Sequence, residues 1–225
     1  MSPWLEFGIL ALESQEIPEA DGGGWTMAED RKFRDLKESC LTMEGISKEE
    51  VDQHYGILYK GYVNKLNEIR RKMETVDFSA ANQSYSELRA LKTEETFCLN
   101  GSKLHEWYFD NLGGHGGQAQ GRVRELIERD FGSYQKFETE FKATGLAVRG
   151  WVVLAYDLDD EKLHIYGQDA HNVGVPWGAY PLLILDVYEH AYGLDYGVKR
   201  APYIDAFMKN LDWNEINVRL AKYHI

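Results

Sequence analysis

The stretch LLILDVYEHAYGLDYG, residues 182–197, decides how this chain is interpreted. Its aliphatic run predicts a buried β-strand that ends at Asp186, and His190 follows four residues later. Ionisable groups are rarely buried without a partner. Solvation of the surface therefore does not explain a carboxylate and an imidazole placed directly after a buried run. Asp186 and His190 are therefore the first candidates for a functional site.

The Asp186–His190 spacing has two interpretations. If a helix begins directly after the strand, residues four apart point to the same side and can share one ligand. A carboxylate oxygen and a neutral imidazole nitrogen suit Fe, Mn or Zn. The same pair is also compatible with a buried ion pair or a helix cap, so the motif alone does not define a metal site.

The first half of the chain is predicted to be helical. The sequence SKEE at 47–50 is typical of a capping box. Apolar residues at helical spacing follow it and predict one amphipathic helix over 48–74. A second helix is predicted over 81–112, ending at the glycine pair 113–114, where a left-handed cap favours glycine.

Each of these two helices carries one candidate histidine, His54 in the first and His105 in the second. Taken singly, each is better interpreted as a hydrogen-bonded core histidine than as a ligand. Together with Asp186 and His190, they would assemble a metal site of three nitrogens and one oxygen between the two halves of the chain.

The second half mixes helices with a small sheet. GGHGGQAQG at 113–121 predicts a linker, and helices are expected near 119–130 and 134–147. WVVLAYD and KLHIYGQD, separated by a turn-rich segment, predict a β-hairpin; LLILD predicts a further strand, and DVYEHAYGLDY opens a closing helical section.

The predicted fold class is α+β: an N-terminal antiparallel helical hairpin, then a mixed domain with a small antiparallel sheet of about three strands flanked by helices. We divide the chain into a flexible acidic extension at 1–28, a helical-hairpin domain at 29–114 and an α/β C-terminal domain at 115–225. The metal site is expected between the last two parts.

The net charge of −12 argues against nucleic-acid binding, because no basic surface is evident. Residues 1–30 hold seven acidic residues and no Lys or Arg, so the remainder carries only −5 (−12 minus −7), and a small anionic substrate is not repelled overall. No apolar run approaches the roughly 18 residues of a membrane span. We expect Cys40 and Cys98 to be free thiols and the protein to be cytoplasmic.

From about residue 45 onward the chain resembles the iron/manganese superoxide dismutase family. Five segments carry the resemblance: HYGILYKGYVNKLN (54–67), LHEWYFDNLGG (104–114), Gly150-Trp151, DVYEHAYGLDY (186–196) and RAPYIDAFMKNLDWNEIN (200–217). They stand in the same order as in the family, and DV-aromatic-EHAY is highly specific for it.

The resemblance implies that one Fe or Mn ion per subunit is bound by four residues, His54, His105, Asp186 and His190. It further implies conversion of superoxide to dioxygen and hydrogen peroxide by one-electron cycling of that mononuclear metal, which excludes zinc. A homodimer or higher homo-oligomer is implied through the Glu189/His190 region, where Glu189 corresponds to a glutamate that holds the partner's metal-ligating histidine.

Further site positions follow from the same resemblance. Tyr62 corresponds to the gateway tyrosine, and Trp151 and Tyr188 to aromatic residues that wall the site. Most members hold the metal-bound solvent with a glutamine, but the helix position for it is Gly101 here. His171 and Gln168 are the alternatives; His171 lies 15 residues before Asp186, the spacing of members that use histidine.

The chain departs from the family pattern near the expected dimer contact. Leu58 and Gly193 replace a histidine and a tyrosine that meet across that interface, which places the dimer contact and the proton route in question. Ile57 replaces a common basic residue at the substrate funnel, and the Leu-Pro-rich N-terminal strap is missing.

Two alternatives to a dismutase remain open. The first is a metal-binding or interaction protein with the superoxide dismutase fold and little or no activity. The second is a mononuclear non-haem iron oxygenase, although such sites usually have three protein ligands and open positions.

Overall fold

The computed structural model describes residues 29–225, so the predicted extension at 1–28 lies outside the described residues. The α-helices are α1 (Lys48–Gln53), α2 (Lys60–Lys72), α3 (Glu87–Asp110), α4 (Arg122–Phe131), α5 (Tyr134–Ala147), α6 (Gly193–Tyr196), α7 (Arg200–Lys209) and α8 (Trp213–Lys222), and the strands are β1 (Trp151–Asp157), β2 (Lys162–Gln168) and β3 (Ala179–Asp186). The predicted α+β class is confirmed.

The helical hairpin differs in detail from the prediction. The run expected as one helix over 48–74 is continuous, but a π-helical segment, His54–Tyr59, joins α1 to α2. π-Helical turns are often found at functional sites. The second helix begins at Glu87 rather than near 81, because the Ser86 side chain caps it by accepting a hydrogen bond from Arg89 N at 3.1 Å.

The start of α1 is capped by a partner distant in sequence. Ser47 Oγ accepts from Glu50 N at 3.1 Å, as the capping box predicts. The Glu50 carboxylate, however, accepts from Leu194 N at 2.8 Å, and Asp195 Oδ2 accepts from Ser47 N at 2.7 Å. The starts of α1 and α6 therefore cap each other, which ties the first helix to the turn that follows His190.

The sheet has the order β2-β1-β3, and both pairings are antiparallel. Trp151 at the start of β1 pairs with Gln168 on one side and with Asp186 on the other. β3 begins three residues before the predicted LLILD segment and contains Pro181, which an edge strand tolerates. The row formed by Gln168, Trp151 and Asp186 lies at the end of the sheet where the candidate ligands meet.

The chain does not enter an α-helix directly after β3, contrary to the expectation. Tyr188 is extended, and a 3₁₀ turn, Glu189–Ala191, precedes the short helix α6. Asp186 Oδ1 accepts a hydrogen bond from Tyr188 N at 2.9 Å. A carboxylate that binds the backbone two residues ahead favours a turn over a helix, which accounts for the difference.

The segment predicted as a linker, 113–121, is packed in place. Gly114 N and Gly116 N donate to Asn210 O and Leu211 O, each at 3.0 Å. A Cβ atom on Gly114 would lie 2.3 Å from Leu211 O, so glycine is required by the close approach of two backbones.

An extended segment before the 3₁₀ turn Glu38–Leu41 is fastened to the helical hairpin by polar contacts. Arg31 exchanges two backbone hydrogen bonds with the Asn67 side chain, and its guanidinium pairs with buried Glu106. Arg34 N donates to the Tyr59 hydroxyl at 2.7 Å. Charged and amide groups thus hold this segment against the helical hairpin. The Leu-Pro-rich strap that is usual in the family is missing from this sequence.

The main core lies between the sheet and the surrounding helices, and a smaller apolar cluster lies inside the α2–α3 hairpin. Cys40 and Cys98 are both buried and unpaired, as predicted. Within residues 29–225, no helix has the length and apolar character needed to cross a bilayer.

Candidate metal centre

Four side chains that the sequence analysis predicts to be metal ligands converge in the structure. His54 comes from the π-helical turn, His105 from α3, Asp186 from the end of β3 and His190 from the 3₁₀ turn. One potential ligand atom from each lies within 4.8 Å of all the others. We refer to these four residues as the ligand cluster.

Asp186 Oδ2 is the centre of the ligand cluster. The Nε2 atoms of His54 and His190 each lie 3.2 Å from it, and His105 Nε2 lies 3.6 Å away. Asp186 is fully buried, and its backbone carbonyl accepts a hydrogen bond from Tyr203. A buried ion pair needs one cationic partner, whereas here three imidazoles face a single carboxylate oxygen.

The tautomer of His105 is determined by its backbone contact. His105 Nδ1 lies 2.6 Å from Gly101 O, and a carbonyl oxygen can only accept, so Nδ1 carries the proton. In the neutral ring Nε2 therefore presents a lone pair toward Asp186 Oδ2. Two acceptors that face each other in a buried space repel, and a cation between them removes the repulsion.

The pKa shifts agree with a set of metal ligands. Burial lowers the pKa of His54, and burial together with the charge of His54 lowers the pKa of His105 well below its ordinary value. Burial alone would raise the pKa of Asp186, but the neighbouring His190 and His54 side chains outweigh that effect and lower the pKa. These directions favour neutral imidazoles at His54 and His105 beside an ionised carboxylate, which are protonation states that metal binding requires.

His171 and Trp151 form one wall of the cluster. Trp151 Nε1 donates to His171 Nδ1 at 2.9 Å, so the proton of the neutral His171 ring is on Nε2. Burial lowers the pKa of His171 to about 4, which keeps the ring neutral at ordinary pH. The Trp151 ring meets the His105 ring at 5.0 Å between centroids.

Tyr62 lies on the same wall. Its ring centroid is 5.3 Å from that of His105 and 4.7 Å from that of His171, against which it packs edge-on. Burial raises the pKa of Tyr62 to about 12, so the hydroxyl keeps its proton. Tyr188 completes the wall by stacking on His190, with centroids 5.1 Å apart.

Gly101 provides the space that His171 and Tyr62 occupy. A Cβ atom at this position would lie 3.0 Å from Tyr62 Cδ1 and 3.1 Å from His171 Cδ2. A side chain at this position would therefore require Tyr62 and His171 to move by at least a few tenths of an ångström. Gln168 is buried, but within residues 29–225 no hydrogen bond joins it to the ligand cluster, and its Oε1 atom has no partner.

Sequence reasoning missed three residues that position the ligand cluster. The Tyr203 hydroxyl donates to Asp186 O at 2.8 Å and lies 3.1 Å from the Tyr108 hydroxyl. Glu50 fixes the turn after His190 through the backbone of α6. Both tyrosines stand in segments that carry the family resemblance, but no spacing rule connects them to Asp186.

The surface beside the cluster is open where the chain departs from the family pattern. Glu189 is exposed, and its carboxylate has no hydrogen-bond or ion-pair partner within residues 29–225. A Cβ atom on Gly193 would meet nothing within 4 Å, and the Ile57 side chain is 66% exposed. This part of the surface is available for contact with another molecule.

Comparison with known proteins decides the family. Residues 119–219 match the model of the C-terminal domain of iron/manganese superoxide dismutases. The iron superoxide dismutase of Aquifex aeolicus is 46% identical over 184 residues, which cover 80% of this chain and 86% of the relative. The chain belongs to the iron/manganese superoxide dismutase family.

Other relatives in this family are named as iron or as manganese superoxide dismutases. The iron superoxide dismutase of Cupriavidus metallidurans is 40% identical over 80% of this chain and 90% of its own length. The manganese superoxide dismutase of Haloarcula marismortui is 34% identical over 76% of this chain and 83% of its own length. The family resemblance seen in the sequence is confirmed.

Proposed function

We propose that this protein is a superoxide dismutase that holds one iron or manganese ion per subunit in the ligand cluster. The observation that carries the proposal is the set of three imidazole nitrogens around Asp186 Oδ2. The buried Nε2 atoms of His54 and His105 have no hydrogen-bond partner within residues 29–225. A metal ion would satisfy both nitrogens, so the donor set fits the ion.

The ligand cluster suits a metal that changes its charge by one. Iron or manganese, when bound, supplies the one-electron exchange with superoxide that protein side chains lack. One carboxylate and three neutral imidazoles contribute a single negative charge, so the site stays positive with a divalent or a trivalent ion. A positive site attracts the superoxide anion.

The wall residues handle protons and exclude water. Tyr62 keeps its hydroxyl proton, and the hydroxyl has no hydrogen-bond partner within residues 29–225, so it can donate to a molecule in the site. We assign the second donor to His171 rather than to Gln168, because Trp151 leaves the proton on His171 Nε2. Trp151 itself is fully buried and closes the site toward the sheet.

The proposal is tested by loading the metal-free protein separately with iron and with manganese, then measuring metal content and superoxide consumption. We expect about one ion per chain and activity in at least one form. Stoichiometric metal without activity in either form would reject the dismutase and favour the alternative, a metal-binding protein of the same fold. The four-residue cluster disfavours an oxygenase, because it leaves too few open positions.

We further propose that the active form is a homodimer in which Glu189 contacts His190 of a second copy. The Glu189 carboxylate is exposed and unpaired within residues 29–225, and the pKa of His190 is raised: burial lowers it, but the charge of Asp186 outweighs that effect. A carboxylate at this histidine would fix its ring orientation.

The Glu189→Gln variant is expected to weaken dimerisation by about a hundredfold or more, because it removes one charge-assisted hydrogen bond worth roughly 1.5–3 kcal/mol from each of the two sides. Sedimentation equilibrium measures the change. Glu94→Gln, on the exposed face of α3, is the matched control and should leave dimerisation unaltered. Dimerisation that is equal in the Glu189→Gln variant and the parent would contradict the assignment.

A further inference from the structure

One buried carboxylate beside the ligand cluster has no cationic partner. Glu50 is 2% exposed, and within residues 29–225 no Lys, Arg or His side chain forms an ion pair with it. Lys48, two residues earlier on α1, pairs with Asp52 instead. Acidic side chains are almost never fully buried unless they are paired. The charge of Glu50 is therefore an uncompensated charge in the protein interior.

Glu50 lies one helical turn before His54. The backbone N–H of His54 donates to Glu50 O, so the two residues follow each other along the axis of α1 and the π-helical segment that continues it. Residues four apart in a helix lie on the same face, with Cβ atoms about 5–6 Å apart. The Glu50 side chain thus lies on the side of α1 that carries the first ligand of the cluster.

The Glu50 carboxylate is also held against the turn that follows His190. Glu50 Oε2 accepts hydrogen bonds from Leu194 N at 2.8 Å and from Asp195 N at 3.4 Å. Burial raises the pKa of Glu50, but these two amides favour the charged form and act in the opposite direction. Burial lowers the pKa of His190, whereas Asp186 and then Glu50 raise it. The charge of Glu50 therefore acts on a residue of the ligand cluster.

We propose that the Glu50 carboxylate lowers the reduction potential of the metal held by the ligand cluster. This inference rests on the proposed function, because it requires a metal whose charge changes by one. Asp186 gives the cluster one negative charge, and Glu50 adds a second charge nearby that no protein cation cancels. A negative charge attracts a trivalent ion more strongly than a divalent one, and burial limits its screening by the solvent. Glu50 thus favours the oxidised state of the metal.

The test is a mediated redox titration of the iron-loaded Glu50→Gln variant at pH ~8, well above the ordinary pKa of glutamic acid. The Oε1 atom of glutamine can accept both amide hydrogens that Glu50 Oε2 accepts, so the turn should persist while the charge is lost. We expect the balance to move toward ferrous iron by about tenfold, the scale of one unit charge in a protein interior. A tenfold change is ~59 mV for a one-electron couple.

Glu49→Gln is the matched control. Glu49 precedes Glu50 on α1 and is exposed, so the same change of charge is screened there by solvent, and the potential should equal that of the parent. An unchanged potential in the Glu50→Gln variant, or an equal rise in both variants, would overturn the proposal. A rise that comes with an altered ferric absorption spectrum would also overturn it, because the ligands would then have moved.

The iron content of the parent separates this inference from the proposed function. A parent that binds no iron would reject the proposed function and the role of Glu50 together. An iron-loaded parent with an unshifted Glu50→Gln variant would reject only the role of Glu50.

Discussion

The Asp186→Asn variant is expected to lose dismutase activity by at least about a thousandfold, which corresponds to ~4 kcal/mol of transition-state stabilisation, and to purify with little metal. Asp186 Oδ2 is the atom toward which all three histidines of the cluster point, at 3.2–3.6 Å. The residue also carries the only negative charge of the cluster. A neutral amide of the same shape binds a cation far less well.

The measurement combines metal content, activity and far-UV circular dichroism. Asparagine can still accept the hydrogen bond from Tyr188 N through its Oδ1 atom, so the local turn should persist and the protein should fold. Asp160→Asn, which removes the same charge at the surface beside His164, is the matched control and should keep full metal content. Full metal and full activity in the Asp186→Asn variant would refute the assignment of this carboxylate as a ligand.

The residues of the cluster were predictable because each lies in a segment with a strong local pattern. His54 and His105 follow helical periodicity, and Asp186 ends an aliphatic strand. The hairpin of the sheet was predictable for the same reason, since β1 has the bounds of WVVLAYD and β2 ends one residue before the end of KLHIYGQD. A local sequence pattern predicts a helix or strand when one face of that element is buried, because burial then requires apolar residues at regular spacing.

The connections between these segments were not predictable, because they depend on contacts across the chain. The π-helical turn at His54 has no periodicity signal that distinguishes it from an α-helix. The 3₁₀ turn after β3 depends on the hydrogen bond from Tyr188 N to Asp186, and the cap of α1 depends on Asp195, which is 148 residues away from Ser47. A capping box read from local sequence assigns the Glu50 side chain to its own helix and misses this partner.

Gly101 illustrates a residue whose role is visible only in three dimensions. In the sequence it marks only the absence of a glutamine from α3. In the structure it is the position at which α3 makes room for His171 and Tyr62, both of which approach its missing Cβ closely. The glycine on α3 therefore leaves the space that the His171 ring occupies beside the sheet.

The Gly101→Gln variant is expected to be less stable than the parent by at least about 1–3 kcal/mol, the usual cost of overpacking a core. The added Cβ would lie 3.0 Å from Tyr62 Cδ1 and 3.1 Å from His171 Cδ2, and the rest of the side chain needs further space. Displacement of His171 also breaks its hydrogen bond with Trp151, so activity should fall with stability. Denaturant unfolding of the metal-loaded protein measures the first effect.

The double variant Gly101→Gln with His171→Gly distinguishes a steric conflict from a general intolerance of α3 to glutamine. Removal of the imidazole opens the space beside α3, so the double variant should recover stability relative to Gly101→Gln. The two changes should then couple by roughly 0.5–3 kcal/mol, as expected for residues in contact. Asn100→Gln, one residue earlier on α3 and partly exposed, is the control and should cost little. If the two changes are additive, His171 does not occupy the space that Gly101 leaves, and Gln168 becomes the candidate for the second donor at the metal.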